Sequence, residues 1–172
     1  MMAHALIRAI AKQSWEGLAG EGSVHIWVFD VGAERFDHAA KNFAEAMRDI
    51  DICMLTTQAS SGGLESRPMS NNRQVTYSGD SYFFSLSDKP VVKQISTDPR
   101  VNLALVGRKS FYLSISGTGS IIRERAKLEK HWTKDIEKWF EQGLDTPGIV
   151  LIRVEAQHIQ YWNGHEEGEI SL

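Results

Sequence analysis

Cysteine is almost missing from this chain: Cys53 is the single thiol in 172 residues. An internal disulfide is therefore excluded, and the expected compartment is the reducing cytoplasm. Basic residues are in no surplus. Lys and Arg number 19 against 22 Asp and Glu, a formal charge of −3, so no global cationic surface is available to displace counterions from nucleic acid. Long apolar runs are lacking too. Gly or a charged residue interrupts every one within a few positions, so no bilayer-spanning segment is expected. The first eleven residues do not combine a basic start, a long apolar centre and a small-residue cleavage site, so no signal peptide is expected. The six histidines show no metal-ligand spacing, and no metal site is expected. There is no defensible Ser-His-Asp order, no Gly-rich nucleotide loop, no repeat and no low-complexity tract, and no general base is visible.

What remains is an ordinary globular composition, 42% hydrophobic and 24% charged, long enough for one domain with a real core and some appendage. Residues 1–33 read as an N-terminal extension of unclear role, with a short helix over 2–11 and a loose strand over 23–29. From 34 to 50 the period is helical: Phe36, Ala40, Phe43, Met47 and Ile50 recur at spacings of three and four. The period then becomes that of strands. Residues 52–57 and 64–70 flank a Ser60-Ser61-Gly62-Gly63 turn, and 74–77 and 81–86 form a second pair. A short helix follows, with Ser87 or Asp88 as its cap, Pro90 in its first turn and Asp98-Pro99 as its stop. Residues 101–106 and 111–122 make a third hairpin. Gly117 and Gly119 lie inside its second strand, where glycine marks a bend or bulge. One helix is expected over 123–140, with Leu128, Trp132, Ile136, Trp139 and Phe140 on one face. A Gly-bounded loop covers 143–148 and a last strand 149–162. The end of the chain, 166–172, reads as a loose acidic tail. Six strands or more, with helices at the ends and in one crossover, read as mainly β with α (α+β), a closed or nearly closed antiparallel barrel that hides its strand edges.

An ordered set of short motifs runs through this frame: Asp51 to Thr57, then Ser66-Arg67-Pro68-Met69, Tyr82-Phe83-Phe84-Ser85, Val92 to Ile95 with Asp98 to Asn102, Tyr112 to Gly117, Trp132, Trp139-Phe140 and Tyr161-Trp162. Over residues 36–163 the succession resembles the general-stress-protein branch of the pyridoxamine phosphate oxidase-like, FMN-binding split-barrel family. The resemblance implies that the barrel is a six- to seven-stranded antiparallel split β-barrel with flanking helices, and that the chain is a homodimeric flavoprotein whose FMN-binding domain is 34–165, acting as a stress-related oxidoreductase on a small-molecule redox substrate. The alternatives are a non-catalytic flavin carrier or sensor, and a barrel that has lost its flavin and serves as an interaction protein.

The resemblance carries cofactor contacts onto Arg67, Pro68 and Met69 at a strand end, onto Phe84, Ser85 and Ser87 before the short helix, and onto Tyr112, Trp132 and Trp162. Relatives grip the phosphate with a lysine early in that helix, where this chain has Pro90 and Val91, and the role is expected to fall to Lys89. Each residue also has a plainer reading. Arg67 can be a surface arginine as readily as a donor fork for phosphate or flavin oxygens. Pro68 inside a strand marks an edge or bulge. Ser85, Ser87 and Lys89 precede a helix and can be simple capping and surface residues, or part of an anion site at the helix start. Trp132 lies on a packing stripe, and Cys53 reads as an inert buried thiol.

Overall fold

The computed structural model describes residues 50–70, 79–108, 110–164 and 166–172. The elements expected over 2–11, 23–29 and 74–77, and all but the last residue of the helix expected over 34–50, lie outside these residues. Seven strands form one antiparallel sheet curled into a half-barrel. They are β1 (Ile52–Gln58), β2 (Leu64–Ser70), β3 (Asp80–Leu86), β4 (Arg100–Val106), β5 (Phe111–Ile122), β6 (Ile149–Asn163) and β7 (Glu166–Ser171). Among the described residues three α-helices accompany them: α1 (Pro90–Thr97), α2 (Arg125–His131) and α3 (Lys134–Glu137). The sheet order is β2-β1-β4-β5-β6-β3, with β7 also on β6. The expected α+β split barrel is the fold observed.

Alternation decides which residues face the core. Cys53 and Leu55 of β1, Leu103 and Leu105 of β4, Leu113 and Ile115 of β5, and Val150, Ile152 and Val154 of β6 point inward. Helix α1 closes this interior with Val91, Val92 and Ile95. β6 is the spine of the sheet. Its first half pairs with β3 and its second half with β7, while β5 runs along its other side.

The expected bend in β5 is a bulge. The register shifts between Ser116 and Gly117, and Gln157 of β6 is the unmatched residue. One extra residue reverses side-chain parity, so the buried set passes from Val154 and Ala156 to Ile159. Gly117 is required there: a Cβ would stand 2.0 Å from the carbonyl oxygen of Glu155.

Four expectations change. Helix α1 starts from Lys89 with no side-chain cap, so neither Ser87 nor Asp88 caps it. Ser87 instead donates its backbone N–H to Gly148, and Pro at the first position removes one of the free donors a cap would serve. The single helix over 123–140 is two short ones, broken where Trp132 and Thr133 are extended. The 143–148 loop contains one 3₁₀ turn, Gly143–Asp145. The acidic tail is not loose along its length: residues 166–171 form β7 on β6.

Candidate functional site

Among the described residues β2 and β3 are the two ends of the sheet path, and a cavity of about 320 Å³ draws its lining from both. From β1 and β2 come Ile52, Pro68, Met69 and Ser70, and from β3 come Tyr82, Phe83 and Phe84. The segment around α3 supplies the third wall with Thr133, Asp135, Ile136, Trp139 and Phe140. Pro68 is accommodated because an edge strand needs hydrogen bonds on one side only. The lining is largely apolar and rich in aromatic rings, and among the described residues no lysine or arginine contributes to it.

The break between α2 and α3 shapes that third wall. Extended backbone at Trp132 brings its ring edge-on to Phe84, with centroids 5.0 Å apart. Phe140 approaches the same Phe84 ring at 6.4 Å and Trp132 at 6.0 Å. One residue before the break, His131 stacks on Tyr82 at 3.8 Å with the planes 22° apart. The Tyr82 hydroxyl donates to Asp80 at 3.1 Å, and Arg153 donates to both Asp80 carboxylate oxygens at 3.0 and 3.1 Å. Burial, and then the charge of Asp80, push the Tyr82 phenol above its ordinary value, so it stays a neutral donor. Burial, with Lys130 adding to it, pulls His131 below the usual imidazole range.

Arg67 is not among the lining residues, and its side chain lies against the inner face of β1 and α1. Its guanidinium donates to Thr57 Oγ1, to Gln94 Oε1 at 3.0 Å, to Glu65 Oε2 at 3.5 Å and to the Leu55 carbonyl at 3.4 Å. Burial lowers its pKa somewhat and Glu65 raises it, but a guanidinium remains charged throughout.

The structure thus brings Pro68, Met69 and Phe84 into one cavity, with Trp132 behind Phe84. Ser85 continues β3 opposite Val150, while Ser87 and Lys89 are exposed at the approach to α1. Tyr112 and Trp162 are direct cross-strand partners on the outer face, 46% and 38% exposed. Trp139 and Phe140 are lining residues that sequence reasoning assigned to packing alone. Their adjacency next to a Gly-rich loop was the available signal. Among the described residues no group of three His, Cys, Asp or Glu is arranged to hold a metal, and no helix is long and apolar enough to cross a membrane. Burial pushes the Cys53 thiol up to about 12, far from a reactive thiolate.

Fold and cavity together define a class, the antiparallel half-barrels with a ligand-sized opening between sheet edges. Comparison with known proteins narrows the class. The family model described as pyridoxamine 5'-phosphate oxidase like matches residues 38–171, and the chain belongs to that family. General stress protein 26 of Bacillus subtilis is 27% identical over 84 residues, which cover 46% of this chain and 59% of that protein. The match therefore spans less than two thirds of that relative's length. A solved structure from Clostridium acetobutylicum, of a protein related to general stress protein 26, superposes with a TM-score of 0.69 at 18% identity, covering 79% of this chain and 96% of that one. The general stress FMN/FAD binding protein of Xanthomonas citri gives a TM-score of 0.65 at 23% identity, covering 76% and 92%.

Proposed function

We propose that this chain is a cytoplasmic, homodimeric FMN-binding oxidoreductase, with the flavin ring held in the cavity between β2 and β3. One observation carries the reading: a largely apolar, aromatic slot opens beside a bare apolar sheet face. Ile52 belongs to both, since it lines the cavity and is 46% exposed on the outside of β1. A cavity near 300 Å³ with aromatic walls suits a flat heterocycle. The solved general stress protein of Xanthomonas citri described as FMN/FAD binding supports the choice of ligand class.

In this arrangement Pro68, Met69 and Phe84 contact the ring, and Trp132 and Phe140 hold Phe84 in place. When bound, FMN supplies the electron-transfer chemistry, and the protein orients it and keeps water away. Among the described residues no cationic side chain lines the slot, and we assign the phosphate to a place outside it. The approach to α1 offers Ser85, Ser87 and Lys89, the last two exposed. Met54, Val106, Tyr112 and Trp162 extend the exposed apolar face across β1, β4, β5 and β6. A second copy seated there brings its own Tyr112 and Trp162 to the cavity mouth.

The test is titration of the purified protein with FMN, followed by flavin absorbance and fluorescence quenching. Saturable binding at one FMN per chain is expected, with about tenfold weaker binding for Lys89→Ala. An absence of binding overturns the reading, and an unaltered affinity in Lys89→Ala removes that residue from the site. NAD(P)H consumption by the flavin-loaded protein separates an enzyme from a flavin carrier.

A further inference from the structure

We infer that Arg67 is a positioning residue rather than a direct cofactor contact: with Thr57, Gln94 and Glu65 it forms a clamp that sets the Pro68–Met69 rim of the cavity. β2 has one hydrogen-bonded neighbour among the described strands, and Pro68 deprives it of a donor. Side-chain ties must supply what backbone pairing does not. Arg67 and Met69 face inward on this strand, while Pro68 between them faces out.

The clamp is a closed set of hydrogen bonds between three elements. The Thr57 hydroxyl of β1 donates to Gln94 Oε1 of α1 at 2.6 Å. Arg67 donates to that same oxygen and to Thr57 Oγ1. Gln94 Nε2 donates to Glu65 Oε2 at 2.6 Å, which also accepts from Arg67. The amide of Gln94 therefore has one workable orientation. Thr57 and Gln94 are 1% and 8% exposed, so solvent is poorly placed to replace a departing guanidinium. Swinging Arg67 out to a ligand strips partners from two buried polar groups, a cost large enough to hold it in place.

The effect on cofactor binding rests on the FMN reading above, whereas the clamp itself is tested without it. Gln94→Glu sets a second carboxylate against Glu65 and should lower Tm by roughly 4–8 °C. The swap Glu65→Gln with Gln94→Glu restores one amide and one carboxylate in donor-acceptor register, and should recover most of that loss. Arg67→Ala and Gln94→Ala should weaken FMN binding by similar factors, on the order of tenfold, with the double variant no weaker than either single one. The visible circular dichroism of bound flavin should change alike in both singles. Arg67→Ala losing FMN while Gln94→Ala binds it normally would make Arg67 a direct ligand and overturn the proposal. So would failure of the swap to rescue Gln94→Glu. If the unaltered protein takes up no FMN, the cofactor reading fails and the charge swap still decides the clamp.

Discussion

The outer surface of the sheet is treated in two ways along the same strands. Where β3, β6 and the end of β5 run side by side, the chain covers its own sheet. Leu151, matched to Phe84 on one side and Ile122 on the other, is 0% exposed on a strand position that faces away from the barrel interior. Trp132 and Phe140 lie over Phe84, and Leu128 and Ile136 are the buried residues of α2 and α3. Where β1, β4 and β5 run together, the equivalent positions are bare. Val106 is 65% exposed, and its cross-strand partner Tyr112 is 46% exposed. Apolar positions of the same kind are thus covered by helices in one half and left open in the other. Such a contiguous patch on an interior part of a sheet is the signature of a surface that meets something else. The cavity sits on the boundary between the halves, with Ile52 and Pro68 on the bare side and Phe84 and Phe140 on the covered side.

Substitutions can break or sharpen this contrast. Leu151→Ala, on the covered half, should cost about 3 kcal/mol of folding stability through lost burial and a residual void. Urea unfolding with an unchanged m-value reads that loss, and a cost below about 1 kcal/mol would mean the helices are not a true cover. Trp132→Ala should come next at about 2 kcal/mol, because it removes the edge-on contact with Phe84 as well as buried area. Its additional mark is a loosened cavity wall, seen as altered Trp139 fluorescence. Val106→Asp, on the bare half, should change the stability of the single chain by less than about 0.5 kcal/mol while shifting sedimentation from the proposed dimer to monomer. A species that stays dimeric would show that the second copy sits elsewhere.

The remaining effect is one of pH, confined to alkaline solution, and it belongs to the inner face. The Cys53 thiol is raised from 9.0 to about 12 in the folded protein. A folded value above the unfolded one means the neutral thiol is favoured by folding. That contribution is complete below pH 9.0 and is lost progressively as pH rises toward 12. Stability should therefore decline on the alkaline side, less steeply in Cys53→Ala. Native protein should resist iodoacetamide at pH 8 and react once unfolded.

Much of the barrel was legible because strand alternation reports burial directly. β1 with its Cys53 and Leu55, the turn at Gly62, α1 ended by Asp98-Pro99, and the bulge at Gly117 all follow from local pattern. The α2–α3 break was not legible, because Leu128, Trp132, Ile136 and Phe140 keep helical spacing straight through it. Only the demand of Phe84 for a ring on its outer side shows why the chain extends there. β7 was hidden by its acidic residues. An edge strand is held by backbone pairing rather than by burial, and its structural marks are small. Gly168 leaves room for the Tyr161 ring, whose atoms a Cβ would meet at 2.7 Å, and Ile170 packs against the core. At the site, Pro68, Met69 and Phe84 were reached through motif order, whereas Trp139 and Phe140 read as ordinary packing.

Composition and periodicity alone therefore determined the class of fold and the strands of the inner face, while the stretch of β2 on which the candidate site would lie was implied by the resemblance. These are local properties: an alternating strand must bury one face whatever its partners are. The tertiary structure alone decided which side of β2 each residue serves. Arg67, next to Pro68 in the chain, faces the other side of the strand from it and binds Thr57, Gln94 and Glu65 from three separate segments. A hydrogen-bond set closed across 2 to 37 residues of chain leaves no local pattern. It exists only once β1, β2 and α1 have come together.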